Sequence, residues 1–172
     1  MRRVASAVVL TCLAAILARP LAHGQEMAPV PGTVILRVSG LVPRSLALTA
    51  PELAQLPRAT VTGTDRSGQA ALFEGVSLDT ILRAAGITFG ERLRGSRLAE
   101  YVLVTAAAGY RVVFALPELD PAFATRIVLL ADRRNGQPLL EREGPLMVVV
   151  PGDQRHARWV RQVVELRVKR SE

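Results

Sequence analysis

Hydrophobic and polar residues alternate along much of this chain, which is the pattern of β-strands with one buried face. The first such segment is 33–39, where Val34, Leu36 and Val38 share a face. Further strands are predicted at 59–64, 70–73, 101–105, 111–115, 127–131, 146–150 and 164–168. The segments 127–131 and 146–150 are continuous apolar runs, which are typical of strands that are covered on both faces.

Helical signals are fewer and shorter. Thr49 and Glu52 form a capping box, which predicts a helix over 50–56. Ser77 is predicted to cap a second helix that ends at Gly86, with apolar residues at helical spacing at Leu78, Ile81, Leu82 and Ala85. Because strands outnumber helices and do not alternate with them regularly, we predict the α+β class: a single compact domain of mixed or antiparallel β-sheets with a few short helices.

The N-terminal segment has the layout of a signal peptide. Two arginines precede an apolar stretch over 4–18, and small residues at Ala22 and Gly24 suit a signal peptidase. We therefore expect residues 1–24 to be a Sec-type signal peptide, which would make the protein periplasmic or secreted. Residues 25–32 are expected to be a linker and 33–170 the folded domain, with no membrane span after cleavage. An uncleaved anchor is the alternative.

The amino-acid composition limits which kinds of functional site the residues after the predicted signal peptide can form. The single cysteine of the chain, Cys12, lies in the predicted signal peptide, and His156 is the one histidine beyond residue 24. These counts argue against a disulfide, a thiolate nucleophile and a Cys/His zinc site. The chain carries 22 Lys and Arg against 15 Asp and Glu, with the cationic excess in the C-terminal third, but only 4% aromatic residues. Export and the scarcity of stacking rings argue against nucleic acid as a partner.

The remaining catalytic candidates have simpler explanations. Four carboxylates near the ends of predicted elements could form acid–base pairs or could equally be solvated surface groups: Glu74, Asp79, Glu100 and Asp120. Ser67 and Ser77 lack the sequence context of a nucleophile elbow, and a triad would need His156 as its base. We predict no catalytic residue and no metal ligand.

The most informative charged segment is 155–161, directly after the buried strand over 146–150. The three arginines and one histidine of this segment could hold a phosphate or another anion by charge-assisted hydrogen bonds, and we take Arg155, His156 and Arg158 as the candidate cofactor-binding site. The alternative is an exposed charged turn in which Trp159 fills a space in the core.

Several motifs, taken in order, resemble the molybdopterin-binding domain of the sulfite-oxidase family. They are the aromatic-x-Gly-Val-x-Leu segment and helix over 73–86, Gly109 and Tyr110 after a strand, Asn-Gly-Gln-Pro-Leu over 135–139, Gly-Pro-Leu over 144–146, and Arg-Trp-Val over 158–160. The resemblance covers nearly all of the chain after residue 32. It implies a compact α+β fold with curved mixed sheets.

In enzymes of that family, the resemblance implies a molybdenum held by the pterin dithiolene and one protein cysteine. Thr62, Gly63 and Thr64 stand where that cysteine is expected. Hydroxyl oxygen is a poor substitute for a thiolate ligand. Molybdopterin is therefore a cofactor by resemblance only, with its phosphate expected near Arg158, Arg155 and His156.

Two functions follow from these observations. The first is a non-catalytic binding or interaction module with an anion or pterin pocket, which works with an anionic small molecule or an envelope or redox protein partner. The second is a genuine molybdopterin-dependent oxidoreductase, or a subunit of one, with an unusual metal ligand set.

Overall fold

The computed structural model describes residues 32–65 and 67–171, so the predicted signal peptide and nearly all of the predicted linker lie outside the described residues. The described strands are β1 (Val34–Gly40), β2 (Leu46–Thr49), β3 (Ala59–Thr64), β4 (Ala70–Ser77), β5 (Glu100–Ala106), β6 (Arg111–Ala115), β7 (Leu129–Arg134), β8 (Gln137–Pro138), β9 (Met147–Val149) and β10 (Val163–Arg170). The α-helices are α1 (Ala50–Ala54), α2 (Leu78–Ala84) and α3 (Leu116–Leu119). Short 3₁₀ turns lie at Gly90–Arg92, Gly95–Ala99 and His156–Arg158.

These strands form two five-stranded sheets. Sheet A has the order β2-β1-β10-β5-β6, in which β1 and β10 are parallel and the other neighbours are antiparallel. Sheet B has the order β3-β4-β7-β8, with β9 also paired to β7, and it is antiparallel throughout. The predicted α+β class with mixed and antiparallel sheets is confirmed.

Both sheets contribute to one continuous hydrophobic core. The alternating strands of sheet A send their apolar residues inward, for example Leu36 and Val38 of β1 and Val102 and Val104 of β5. All three residues of β9 are buried, and so are the first three of β7. The continuous apolar runs are therefore covered strands, as their sequence pattern indicates.

The helix ends follow most of the predicted signals, but α1 is shorter than predicted and Ser77 does not cap α2. The Thr49 and Glu52 capping box is present, and α1 ends two residues earlier than predicted. Gly86 has a φ of 91°, and its N–H and that of Ile87 close the end of α2 in a Schellman arrangement. Ser77 occupies the N-cap position, but its hydroxyl is hydrogen-bonded to the Thr80 hydroxyl at 2.8 Å and does not cap the backbone.

Across residues 32–65 and 67–171, none of the helices has the length and apolar character needed to cross a membrane.

Candidate functional site

A cavity of about 230 Å³ lies where the end of sheet B meets the segment that follows β9. We call it the Trp159 pocket. Its walls come from the β3–β4 turn, β4, the end of β7, the residues before β9 and the 3₁₀ turn at His156–Arg158. The lining residues are Asp65, Ser67, Phe73, Arg134, Arg142, Glu143, Met147, His156, Trp159 and Arg161. Cationic, anionic and apolar groups therefore meet in one concave site.

Trp159 forms the inner wall of this pocket and is 9% exposed. Its indole Nε1–H donates to the Val150 carbonyl at 3.0 Å, which satisfies the one polar group of the ring. Its ring packs edge-on against Phe73, at 5.5 Å between centroids, and against His156, at 4.5 Å. The expectation that Trp159 fills a space in the core is confirmed.

The same indole ring closes one of the three positions on β3, residues 62–64, where the family resemblance predicts a cysteine. Thr62 and Thr64 are exposed, whereas Gly63 is buried and faces the pocket side. A Cβ atom at Gly63 would lie 2.6 Å from Cη2 of Trp159 and 3.5 Å from Phe73. No side chain of any kind fits at position 63 unless the ring moves.

Two carboxylates, those of Asp65 and Glu143, line the pocket, and the Asp65 carboxylate accepts several hydrogen bonds. It accepts hydrogen bonds from the Ser67 hydroxyl at 2.5 Å, the Ser67 N–H at 2.8 Å and the Gln69 N–H at 3.0 Å, and it also binds Arg134. These donors, with the Ser67 hydroxyl first, hold the pKa of Asp65 far below its ordinary value. Asp65 is therefore a fixed anion that positions Arg134, whose guanidinium also lies over the Phe73 ring.

Glu143 is the second carboxylate, and it lacks such donors. Its side chain is 14% exposed, and its Oε1 lies 3.9 Å from Nη1 of Arg134, which is an ion-pair distance but too long for a hydrogen bond. Its Oε2 is buried and has no hydrogen-bond partner among the described residues. The Glu143 carboxylate therefore lines the pocket without a hydrogen-bond donor from the described residues.

Arg142 and Arg161 supply positive charge at the pocket rim. Both are exposed, and neither has an ion pair or side-chain hydrogen bond within the described part of the chain. Together with Arg134 they place three guanidinium groups around two carboxylates. The balance of fixed charge in the pocket is positive, so the arrangement suits an anion.

Of the three residues that the sequence predicted as an anion site, His156 alone lines the pocket. Its Nε2 lies 2.6 Å from the Thr64 carbonyl. Because a carbonyl oxygen only accepts, this contact assigns a proton to Nε2. The imidazole can then donate to an anion only when Nδ1 is protonated too.

Arg158 is held in a charge cluster outside the pocket lining. It makes a bidentate pair with Asp153, with Nε and Nη2 at 2.9 and 2.8 Å, and it lies 3.4 Å from Glu118. Arg126 bridges the same two carboxylates at 3.4 and 3.3 Å. Arg155 is exposed and does not line the pocket. The binding role of Arg155, His156 and Arg158 stays a prediction, although the three do not face one cavity.

The carboxylates considered for acid–base chemistry do not line the Trp159 pocket. Asp120 is 1% exposed and accepts from the N–H groups of Gly90 and Ala122, so it fixes a loop. Glu100 is paired with Arg97 and Arg170, and Asp79 with Arg83. Glu74 lies half-buried on β4.

The serines also have structural partners. Ser67 donates to Asp65, and Ser77 is bonded to Thr80. His156 contacts Thr64 and Trp159 instead of a serine, so the described residues do not assemble a nucleophilic triad.

Arg161 belongs to the charged segment 155–161 that the sequence indicated, whereas sequence reasoning missed Arg134 and Arg142 as site residues. Arg134 directly precedes the Asn-Gly turn, and Arg142 lies two residues before Gly-Pro. Their nearness to those motifs was a usable signal. Their convergence depends on the pairing of β4, β7 and β9, which sequence spacing does not reveal.

The donor set does not fit a cysteine-ligated molybdenum. Residues 32–171 contain no cysteine, and the inward-facing position 63 is filled by the Trp159 ring. Among the residues that the structure describes, no group of three or more His, Cys, Asp or Glu side chains could hold a metal ion.

Comparisons with known proteins agree on the fold. The chain is similar to the sulfane dehydrogenase SoxCD from Paracoccus pantotrophus, with a TM-score of 0.61 and 23% identity. The match covers 77% of this chain but only 37% of that one. A search of curated proteins found no match. Residues 24–172 match the family profile described as oxidoreductase molybdopterin binding domain. This chain therefore belongs to the family of oxidoreductase molybdopterin-binding domains, of the sulfite-oxidase type.

Proposed function

We propose that this domain is a non-catalytic member of its family that binds a small anion in the Trp159 pocket. The observation that carries the proposal is the packing of Trp159 against Gly63. A Cβ atom added at Gly63 would lie 2.6 Å from the indole ring. The described residues include no cysteine to supply a thiolate ligand, and the Trp159 ring leaves no space for a side chain at position 63. The pocket therefore keeps its charged rim without the group that would tune a metal for redox chemistry.

The charges of the pocket favour an anionic ligand. Arg142 and Arg161 have free guanidinium groups within the described chain, and Phe73, Met147 and Trp159 form an apolar floor. An apolar wall lowers the local dielectric constant, so each charge–charge contact with a bound ligand is stronger than at an open surface. Guanidinium forks also fit the paired oxygens of phosphate and carboxylate groups.

The size of the pocket favours a small ligand. Its volume of about 230 Å³ lies below the roughly 300–1,000 Å³ that is usual for sites that enclose cofactors and drug-sized molecules. A complete pterin cofactor would therefore project from the pocket, whereas an inorganic oxyanion or a small organic acid fits inside.

Two measurements on one preparation test this proposal. The full chain is expressed in a host that makes molybdopterin, and the purified protein is analysed for molybdenum and for thermal stability with and without phosphate. We expect molybdenum far below one atom per chain. We also expect phosphate to raise the free energy of unfolding by about 2.7 kcal/mol at a hundredfold excess over its Kd.

One molybdenum per chain would overturn the proposal and support the oxidoreductase function instead. Stability that does not respond to phosphate or to other small anions would contradict anion binding.

A further inference from the structure

The two carboxylates of the Trp159 pocket differ in a way that defines its ligand more closely. Asp65 accepts three hydrogen bonds from Ser67 and Gln69 in addition to its contact with Arg134. The Glu143 carboxylate accepts no hydrogen bond from the described residues, and its Oε2 is buried. Buried polar atoms almost always have a partner, because leaving one without a hydrogen bond costs free energy. A donor for this carboxylate can come from solvent or from a ligand, and Oε1 is the oxygen that it can reach, because Oε2 is buried.

Glu143 lines the cavity in which the proposed anion binds, so the anion can supply the hydrogen-bond donor that the carboxylate lacks. Glu143 lines the same cavity as Arg142 and Arg161, and its Oε1 is 3.9 Å from Arg134. An anion that contacts the arginines therefore also meets a carboxylate. A carboxylate repels a fully deprotonated oxyanion, but it accepts a hydrogen bond from one that keeps a proton.

We infer that the Trp159 pocket selects an oxyanion that carries its own hydrogen-bond donor, such as hydrogen phosphate, over one that carries none, such as sulfate. The O–H of the ligand donates to Oε1 of Glu143, which is not buried, while its remaining oxygens accept from Arg142 and Arg161. This inference rests on the proposed anion-binding function and names the ligand class of the same site. Phosphate and sulfate have nearly the same size and shape, so the proton is the feature that Glu143 can distinguish.

Isothermal titration of the full chain with sodium phosphate and sodium sulfate, at pH 7 and constant ionic strength, tests the inference. We expect the Kd for phosphate to be lower by about tenfold or more, the effect of one hydrogen bond to a charged group. Glu143→Gln replaces the acceptor oxygen with an amide that can donate to sulfate. In that variant the two Kd values should converge to within about threefold.

Glu141→Gln is the matched control. Glu141 is exposed, lies two residues away and does not line the pocket, so the substitution removes the same charge without touching the site. The preference for phosphate should survive it.

The possible failures are distinguishable. If neither anion binds the wild-type chain, the proposed function itself fails. If sulfate and phosphate bind the wild-type chain equally well, anion binding stands and the role of Glu143 is overturned. Unchanged selectivity in a folded Glu143→Gln variant would also overturn it. Because the wild-type ratio is measured on the unmodified protein, a variant that does not fold leaves the inference testable.

Discussion

The indole ring of Trp159 and the backbone of Gly63 occupy adjoining space so closely that a Cβ atom on Gly63 would lie 2.6 Å from Cη2 of the ring. Phe73 also lies 3.5 Å from the position of that Cβ atom. A side chain at position 63 and the Trp159 indole in its present position therefore exclude each other.

This exclusion predicts a coupling between the two positions. Gly63→Ala should destabilise the domain by about 1–3 kcal/mol, because the added methyl group overpacks the pocket wall. In a Trp159→Leu background the same substitution should cost clearly less, since the smaller side chain leaves room. Urea unfolding of the four proteins in the cycle measures the coupling. Additive effects would mean that the ring does not limit position 63, and Thr62→Ala on the exposed face is the control.

Trp159 should also be a main contributor to stability. Trp159→Ala is expected to lower the free energy of unfolding by about 3–5 kcal/mol, as for other large buried aromatic residues. Trp159→Phe keeps most of the ring but removes Nε1–H and leaves the Val150 carbonyl without its donor, which should cost about 1–3 kcal/mol. Chemical denaturation gives both values. A loss below about 1 kcal/mol for the alanine variant would show that the ring is not part of the core.

The arginines at the pocket rim should control anion affinity. Arg142→Gln and Arg161→Gln should each raise the Kd for phosphate by about tenfold, because each removes a charge-assisted hydrogen bond. Arg37→Gln, on sheet A, removes the same charge elsewhere and should change the Kd little. Titration calorimetry at low and high salt separates the direct contacts from general attraction, which salt screens.

The same titration tests the sequence-based site. Arg155→Gln and Arg158→Gln should leave the Kd nearly unchanged if the rim arginines hold the ligand. If these two variants abolish binding while Arg142→Gln and Arg161→Gln do not, the anion site lies on the segment 155–158, as the sequence predicted.

The charge cluster of Asp153, Arg158, Arg126 and Glu118 predicts a pH dependence. The bidentate contact with Arg158 holds the pKa of Asp153 below its ordinary value of 3.8. A carboxyl whose pKa is lowered by folding stabilises the native state above its unfolded-state pKa, and this stabilisation is lost as the pH falls through the folded-state pKa. Unfolding free energy should therefore fall on acidification below about pH 4, and less steeply in Asp153→Asn than in the wild type.

Denaturant titrations between neutral and acid pH provide this comparison. Glu141→Gln removes an exposed carboxylate that has no ion pair within the described chain, and it should keep the wild-type slope. Parallel curves for Asp153→Asn and the wild type would show that the Arg158 contact does not contribute to acid sensitivity.

Local structure could be predicted from the sequence because its causes are local. The β7–β8 turn needs two residues with positive φ, and Asn135 and Gly136 adopt φ values of 51° and 76°. The capping box of α1 is likewise complete within four residues. Ser77 shows the limit of such signals. It occupies the predicted N-cap position, but its hydroxyl is hydrogen-bonded to the Thr80 hydroxyl and not to the helix backbone.

The site could be predicted only in part, because its residues meet through long-range pairing. His156 and Trp159 were recognised from one charged segment. Arg134 lies in the same pocket because β7 pairs with β4. This pairing places Arg134 beside Asp65, which lies in the turn before β4. Arg158, the most obvious cation in the sequence, is neutralised by Asp153 and Glu118, and Glu118 is forty residues away. No local pattern reports such a contact.

The parallel pairing of β1 with β10 determines when sheet A can form during synthesis and whether the C-terminal strand can be deleted. The ribosome completes β10 after the other nine described strands, yet β10 lies in the middle of sheet A, between β1 and β5. Until 163–170 emerges, the β1–β2 and β5–β6 hairpins are two separate pieces whose apolar faces remain open to water and to chaperones. A deletion that starts at Val163 would not trim an edge of the fold but would divide sheet A in two.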